Sequence, residues 1–105
     1  MDWVSELRAR LGDGLYLHNL RQITECCERG MKAGAAVLPA YVIRSVIADL
    51  ARDWEGRAVQ VDEVRRVEAG LSPVLKDLVE ALGRGEASGA VAGHLDRLVR
   101  AWLAI

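Results

Sequence analysis

Val42-Ile43-Arg44-Ser45-Val46-Ile47-Ala48-Asp49-Leu50-Ala51-Arg52-Asp53-Trp54 is the stretch on which the fold turns. It is rich in β-branched residues, which are favoured in strands. Its apolar positions nevertheless fail to alternate. Val42, Ile43, Val46, Ile47, Leu50 and Trp54 recur at intervals of one, three and four, which is the pattern of one helix face. That face is broader than the two-position seam of a coiled coil, so it suits the middle of a core. The run is also longer than ordinary strands. A central helix from about Pro39 to Trp54 is therefore expected. Pro39 fits its first turn, where the missing N–H would have no partner anyway.

Working outward, the upstream sequence reads as two further helices. Asp2 is placed to cap the first, in which Trp3, Leu7 and Leu11 lie one turn apart before Gly12-Asp13-Gly14 ends it. The second covers roughly Leu15 to Lys32, with Leu20, Ile23, Cys27 and Met31 facing inward and Cys26 on the flank. Gly30 and Gly34 read as the frayed end of this helix rather than as a close-packing notch, since an interior glycine costs about 1 kcal/mol relative to alanine. Downstream, Asp62 looks like the cap of a short helix closed by Gly70. Ser72-Pro73 then carries a strong start signal for another, with Leu75, Leu78, Val79 and Leu82 inward and Gly83-Arg84-Gly85 as its stop. From Ser88 to the last residue, Val91, Leu95, Leu98, Trp102 and Ile105 repeat at intervals of four, three, four and three. The expected fold is all-α, a compact bundle of about five helices with short connections, forming a single helical domain over residues 1–105 with mostly antiparallel neighbours.

Composition narrows the function classes. The chain has 105 residues, 51% of them apolar and 28% charged, which suits a globular domain rather than a disordered one. Fourteen basic and fifteen acidic residues are interspersed, and the net charge is −1. Binding to nucleic acid by counterion release needs a basic face, which this mixture does not supply. Cys26 and Cys27 are adjacent, and a helical backbone points them about 100° apart, so no disulfide framework is expected. Met1 to Glu6 has the amphipathic pattern of a helix, not of a secretory leader, and no stretch approaches the length of a membrane span. A cytoplasmic protein is the expectation.

Each chemical motif has a plain structural reading beside it. Cys26, Cys27 and His18 are too few and too unevenly spaced for a zinc site, which takes about four ligands, and His94 is the sole further imidazole. His18, Gln22 and Glu25 share one face of the second helix. A histidine beside a carboxylate can act as a general base, but a solvated polar face has the same spacing. Gly83, Gly85 and Gly89 lack the preceding strand and the lysine that phosphate loops require. Gly12-Asp13-Gly14 has too few oxygen ligands for calcium. No catalytic residue, cofactor or metal is expected.

The tryptophans weigh differently. The chain has no phenylalanine, and Trp3 and Trp102 stand near its ends. Each either closes an apolar stripe of the core or anchors an interface, where tryptophan is over-represented. The stripe that runs to the last residue favours the interface. Trp3, Val91, Leu95, Leu98, Trp102 and Ile105 are therefore the candidate contact residues. The expected function is a non-enzymatic interaction protein (assembly factor, adaptor, small regulatory protein or accessory subunit) that binds a protein partner or itself as a homodimer. A second reading is a small enzyme or metal-binding bundle using His18, Glu25 and Cys26 or Cys27. A third is a nucleic-acid-associated regulator, with the two short helices around Gly70 forming a helix-turn-helix.

Overall fold

In a computed structural model the protein is described over residues 2–34 and 36–105; Met1 and Ala35 lie outside them. Among the described residues five helices follow one another: α1 (Trp3–Gly12), α2 (Leu17–Ala33), α3 (Val37–Trp54), α4 (Val61–Gly83) and α5 (Ser88–Leu103). No strand occurs among the described residues. The architecture is the expected all-α bundle.

The helices form a closed ring. α1 lies between α2 and α4, α2 packs most extensively on α3, α3 touches α5, and α5 returns to α4. Paired residues show that α2 and α3 run antiparallel, whereas α3 and α5 begin side by side. Arg44 of α3 reaches Glu28 of α2 at 3.1 Å, and Arg21 of α2 reaches Glu55, just past the end of α3, at 2.9 Å. Arg8 of α1 reaches Glu80 near the end of α4 at 2.9 Å, and Arg97 of α5 reaches Asp77 at 3.1 Å. These exposed pairs set register and add little stability. The core inside the ring holds Leu7, Leu20, Ile23, Ile43, Ile47, Leu71, Leu75, Leu78 and Leu98, all at 0% exposure. The accessible surface is 5880 Å², against about 5800 Å² expected for a folded monomer of this mass. The bundle thus buries about as much surface as a folded chain of this size does.

α3 begins at Val37, two residues before the expected Pro39, which still falls in the first turn where no N–H is needed. Ile43, Val46, Ile47, Leu50 and Trp54 are buried as their period requires. At the α1–α2 corner Asn19 is buried among apolar residues. Its Nδ2 donates to the carbonyls of Arg10 at 2.7 Å and Gly14 at 2.5 Å. It thereby adds a second donor to the Arg10 carbonyl, which already accepts from the Asp13 N–H at 3.1 Å, and gives a donor to the Gly14 carbonyl beyond the helix. The sequence pattern offered no sign of this role.

The stretch expected to form two helices forms one. α4 runs unbroken through Gly70 and Pro73. Val67, Leu71, Leu75, Leu78 and Val79 are all buried along it, while Gly70 and Pro73 both face outward. A turn at Gly70 would carry Leu71 off this seam. An interior proline costs about 3 kcal/mol and a glycine about 1, whereas each buried aliphatic side chain is worth roughly 1.5–3 kcal/mol. The continuous seam wins, and water can reach the carbonyl that Pro73 leaves unbonded on the outer face.

Gly30 is not a frayed end. It lies buried inside α2, and a Cβ placed there would meet the Trp3 ring at 2.5 Å. The indole rests directly on the α2 backbone, which is why Trp3 is 91% covered despite its place in the first turn of the chain's first helix. Gly34, with φ of 78°, is the residue that ends α2 in the left-handed conformation. Gly30→Ala, normally stabilising in a helix interior, is expected here to cost about 1–3 kcal/mol, since the rigid ring must be displaced. Urea unfolding of the two proteins measures the sign.

Candidate interaction surface

The residues of the catalytic or metal-binding reading lie on opposite sides of α2. His18 and Glu25 are exposed on its outer face, whereas Cys26 and Cys27 are fully buried. No group of three or more His, Cys, Asp or Glu close enough to hold a metal ion occurs among the described residues. His94 is part-buried on α5, with Nδ1 enclosed and without a hydrogen-bond partner, and it belongs to no such group. The helix-turn-helix geometry is absent as well, because α4 has no turn at Gly70.

Cys26 departs from its expected place on the flank. Its thiol donates to the Trp3 carbonyl at 3.1 Å, tying α1 to α2 one turn from the Trp3–Gly30 contact. Burial, with the nearby Glu6 charge adding to it, pushes this thiol up to about 11. Burial, followed by the neighbouring Cys26, pushes Cys27 up to about 12. Neither forms a thiolate near neutral pH, so neither is an activated nucleophile or a ready metal ligand. Both are expected to react with a thiol reagent at pH 8 at least about tenfold more slowly in the folded protein than in denaturant. Because the folded state prefers the protonated thiols, their contribution to stability is complete below about pH 9 and fades as pH rises through 11 to 12. Absorbance-based labelling kinetics, with unfolding curves at pH 8 and 10.5, check both statements.

Of the expected contact residues, Val91, Leu95 and Leu98 are buried against the chain's own helices, at 6%, 8% and 0% exposure. They complete the bundle, and only the edges of Val91 and Leu95 reach the surface. Trp3 is held on Gly30 in the same way. Trp102 is part-buried. Ile105 remains 45% exposed, with its Cδ1 3.6 Å from where a Cβ on Gly70 would stand. The stripe thus sinks into the core over its first half and emerges towards the end of the chain. Ile105 thus packs on α4 at Gly70, where a Cβ would make no more than an ordinary van der Waals contact.

No family model, curated protein or solved structure matches the chain. The functional reading therefore rests on its surface.

Apart from Tyr16, Val61 and Ile105, the exposed large apolar residues among those described fall in two places. Val37, Leu38 and Tyr41, on the first turns of α3, are 49%, 64% and 52% exposed. Beside them opens a groove of about 380 Å³, lined by Leu38, Pro39, Leu82, Val91, Ala92 and Leu95, where the start of α3 meets the start of α5 and the end of α4. Val99 and Leu103, on the outer side of α5, are 38% and 75% exposed. The sequence pattern missed both. Val37, Leu38 and Tyr41 precede or interrupt the inward stripe of α3, and Val99 and Leu103 sit one residue away from the inward stripe of α5. A period identifies which residues share a face, but a leftover apolar residue gives no period of its own.

Proposed function

We propose that the protein is a non-enzymatic interaction module of the cytoplasm, acting through apolar helix surface as an adaptor, assembly factor, small regulatory protein or accessory subunit. The observation that carries this reading is the Val37–Leu38–Tyr41 cluster beside the apolar groove. Large apolar side chains grouped on a folded surface mark contact sites, whereas isolated ones do not. The chemistry-bearing groups support it from the other side: the cysteines are sealed in the core, and His18 and Glu25 stand in solvent away from any shared cavity. No helix of the described residues is long and apolar enough to cross a membrane. The test is paired affinity capture from the native cell extract with the wild type and Leu38→Glu. Because Leu38 is exposed, the variant should fold with an unchanged circular dichroism spectrum and lose at least about tenfold of a specific partner's signal. A partner retained equally by both proteins places the contact elsewhere. A wild type that captures nothing specific removes the reading.

A further inference from the structure

The outward side of α5 carries a second stripe, opposite the buried one. Gly89, Gly93, Asp96, Arg100 and Leu103 are all exposed, at intervals of four, three, four and three. That spacing keeps residues in line along one helix face and is the spacing of a two-helix seam. The order of residues within it is self-complementary. Laid against a second copy running the opposite way, Asp96 of each chain meets Arg100 of the other, and Leu103 of each meets Gly93 of the other. A Cβ at Gly93 or Gly89 would have nothing within 4 Å, so the partner's leucine finds an open notch. Leu103 is at the same time the most exposed of the large apolar residues, at 75%.

Charge selects the direction. In a parallel pairing Asp96 would face Asp96, and Arg100 would face Arg100. Juxtaposed like charges exclude a register as effectively as good contacts favour another. Within one chain Arg100 Nε already donates to Asp96 Oδ2 at 2.7 Å, and both side chains are mostly in water. The guanidinium keeps further donors and the carboxylate further lone pairs, enough for each to bond across a two-fold axis without breaking the internal pair. Next to this seam, Ala92 of α5 and Leu38 of α3 line the same apolar groove. The groove lies on the side towards which the partner's Leu103 would point.

We infer that the outer face of α5 is a docking surface for a second copy of this chain, in an antiparallel two-fold pairing centred between Asp96 and Arg100. This deepens the interaction reading and rests on it, with the partner identified as self. The paired part of the seam, Gly93 to Leu103, is about 16 Å long at 1.5 Å per residue. Interfaces of that size lie at the small, reversible end of the range, so dissociation in the micromolar range is expected.

Sedimentation velocity over a dilution series of the full chain provides the test. Wild type should pass from monomer to dimer, and Asp96→Arg and Arg100→Asp should each weaken the dimer about tenfold or more. The double variant Asp96→Arg/Arg100→Asp should return to within a few-fold of wild type, because swapping the charges preserves antiparallel complementarity. Gly93→Leu, placed in open space and so compatible with folding, should also weaken the dimer by filling the notch. A wild type that remains monomeric at about 1 mM overturns the inference, as does a double variant as weak as the single ones. If wild type is monomeric while Leu38→Glu still loses a foreign partner, self-association fails and the interaction reading stands. A dimer with no foreign partner leaves the α5 seam in place.

Discussion

Ile47→Ala is expected to destabilise the protein by about 2–5 kcal/mol, the range for removing a buried aliphatic side chain where the surroundings cannot collapse. Ile47 is at 0% exposure on α3, in the core enclosed by the ring of helices. A domain of this size holds about 5–15 kcal/mol in total, so the substitution removes a large share of it. The outward residue Asp49, two positions along the same helix, supplies the control. Asp49→Ala should change stability by no more than about 0.5 kcal/mol, since its partner Arg52 is still more exposed than Asp49 itself. Chemical denaturation of the three proteins, with equal slopes, measures the contrast. A loss under about 1 kcal/mol at Ile47 would mean that α3 is not central.

Pro73→Ala is expected to act in the opposite direction. In a continuous α4 the proline removes one helical hydrogen bond and crowds the carbonyl of residue 69, at a cost of up to about 3 kcal/mol. Alanine restores the bond. It also frees the unfolded chain, which returns roughly 0.4–1 kcal/mol of the gain. The net expectation is a stabilisation of about 1–2 kcal/mol, with Tm rising by some 4–8 °C for each kcal/mol. Pro73 is exposed, so the exchange leaves no cavity. Were Pro73 instead the first residue of a separate helix capped by Ser72, alanine would bring little or no gain, since proline is favoured there. A thermal melt therefore separates one long helix from two short ones.

The two substitutions mark different kinds of information in the chain. The helical period of Val42 to Trp54 survives any packing arrangement, because a stripe of that width needs a core wherever the other helices lie. The same holds for Leu20, Ile23 and Cys27 on α2 and for Val91, Leu95 and Leu98 on α5, all buried where their spacing placed them. The all-α class, the ends of α1 and the identity of most core residues were thus legible from the order of residues alone. The local signals at Gly70-Leu71-Ser72-Pro73 were equally clear and gave the wrong break. Capping and proline preferences are worth about 1–3 kcal/mol, and a seam of buried leucines across the break outweighs them.

Other features had no local signal to read. That Gly30 is a seat for Trp3, and that Cys26 turns inward to the Trp3 carbonyl, depends on α1 crossing α2 at one particular height. Asn19 owes its partners to the same corner. The candidate surface belongs with these. Sequence spacing shows that Val91, Leu95, Leu98, Trp102 and Ile105 share a face, but not whether that face meets the same chain or another. The ring of helices covers the first three and leaves Leu38, Tyr41, Val99 and Leu103 in water. Periodicity is a property of one helix, whereas exposure is decided by the neighbours that reach it, and only the tertiary structure supplies those.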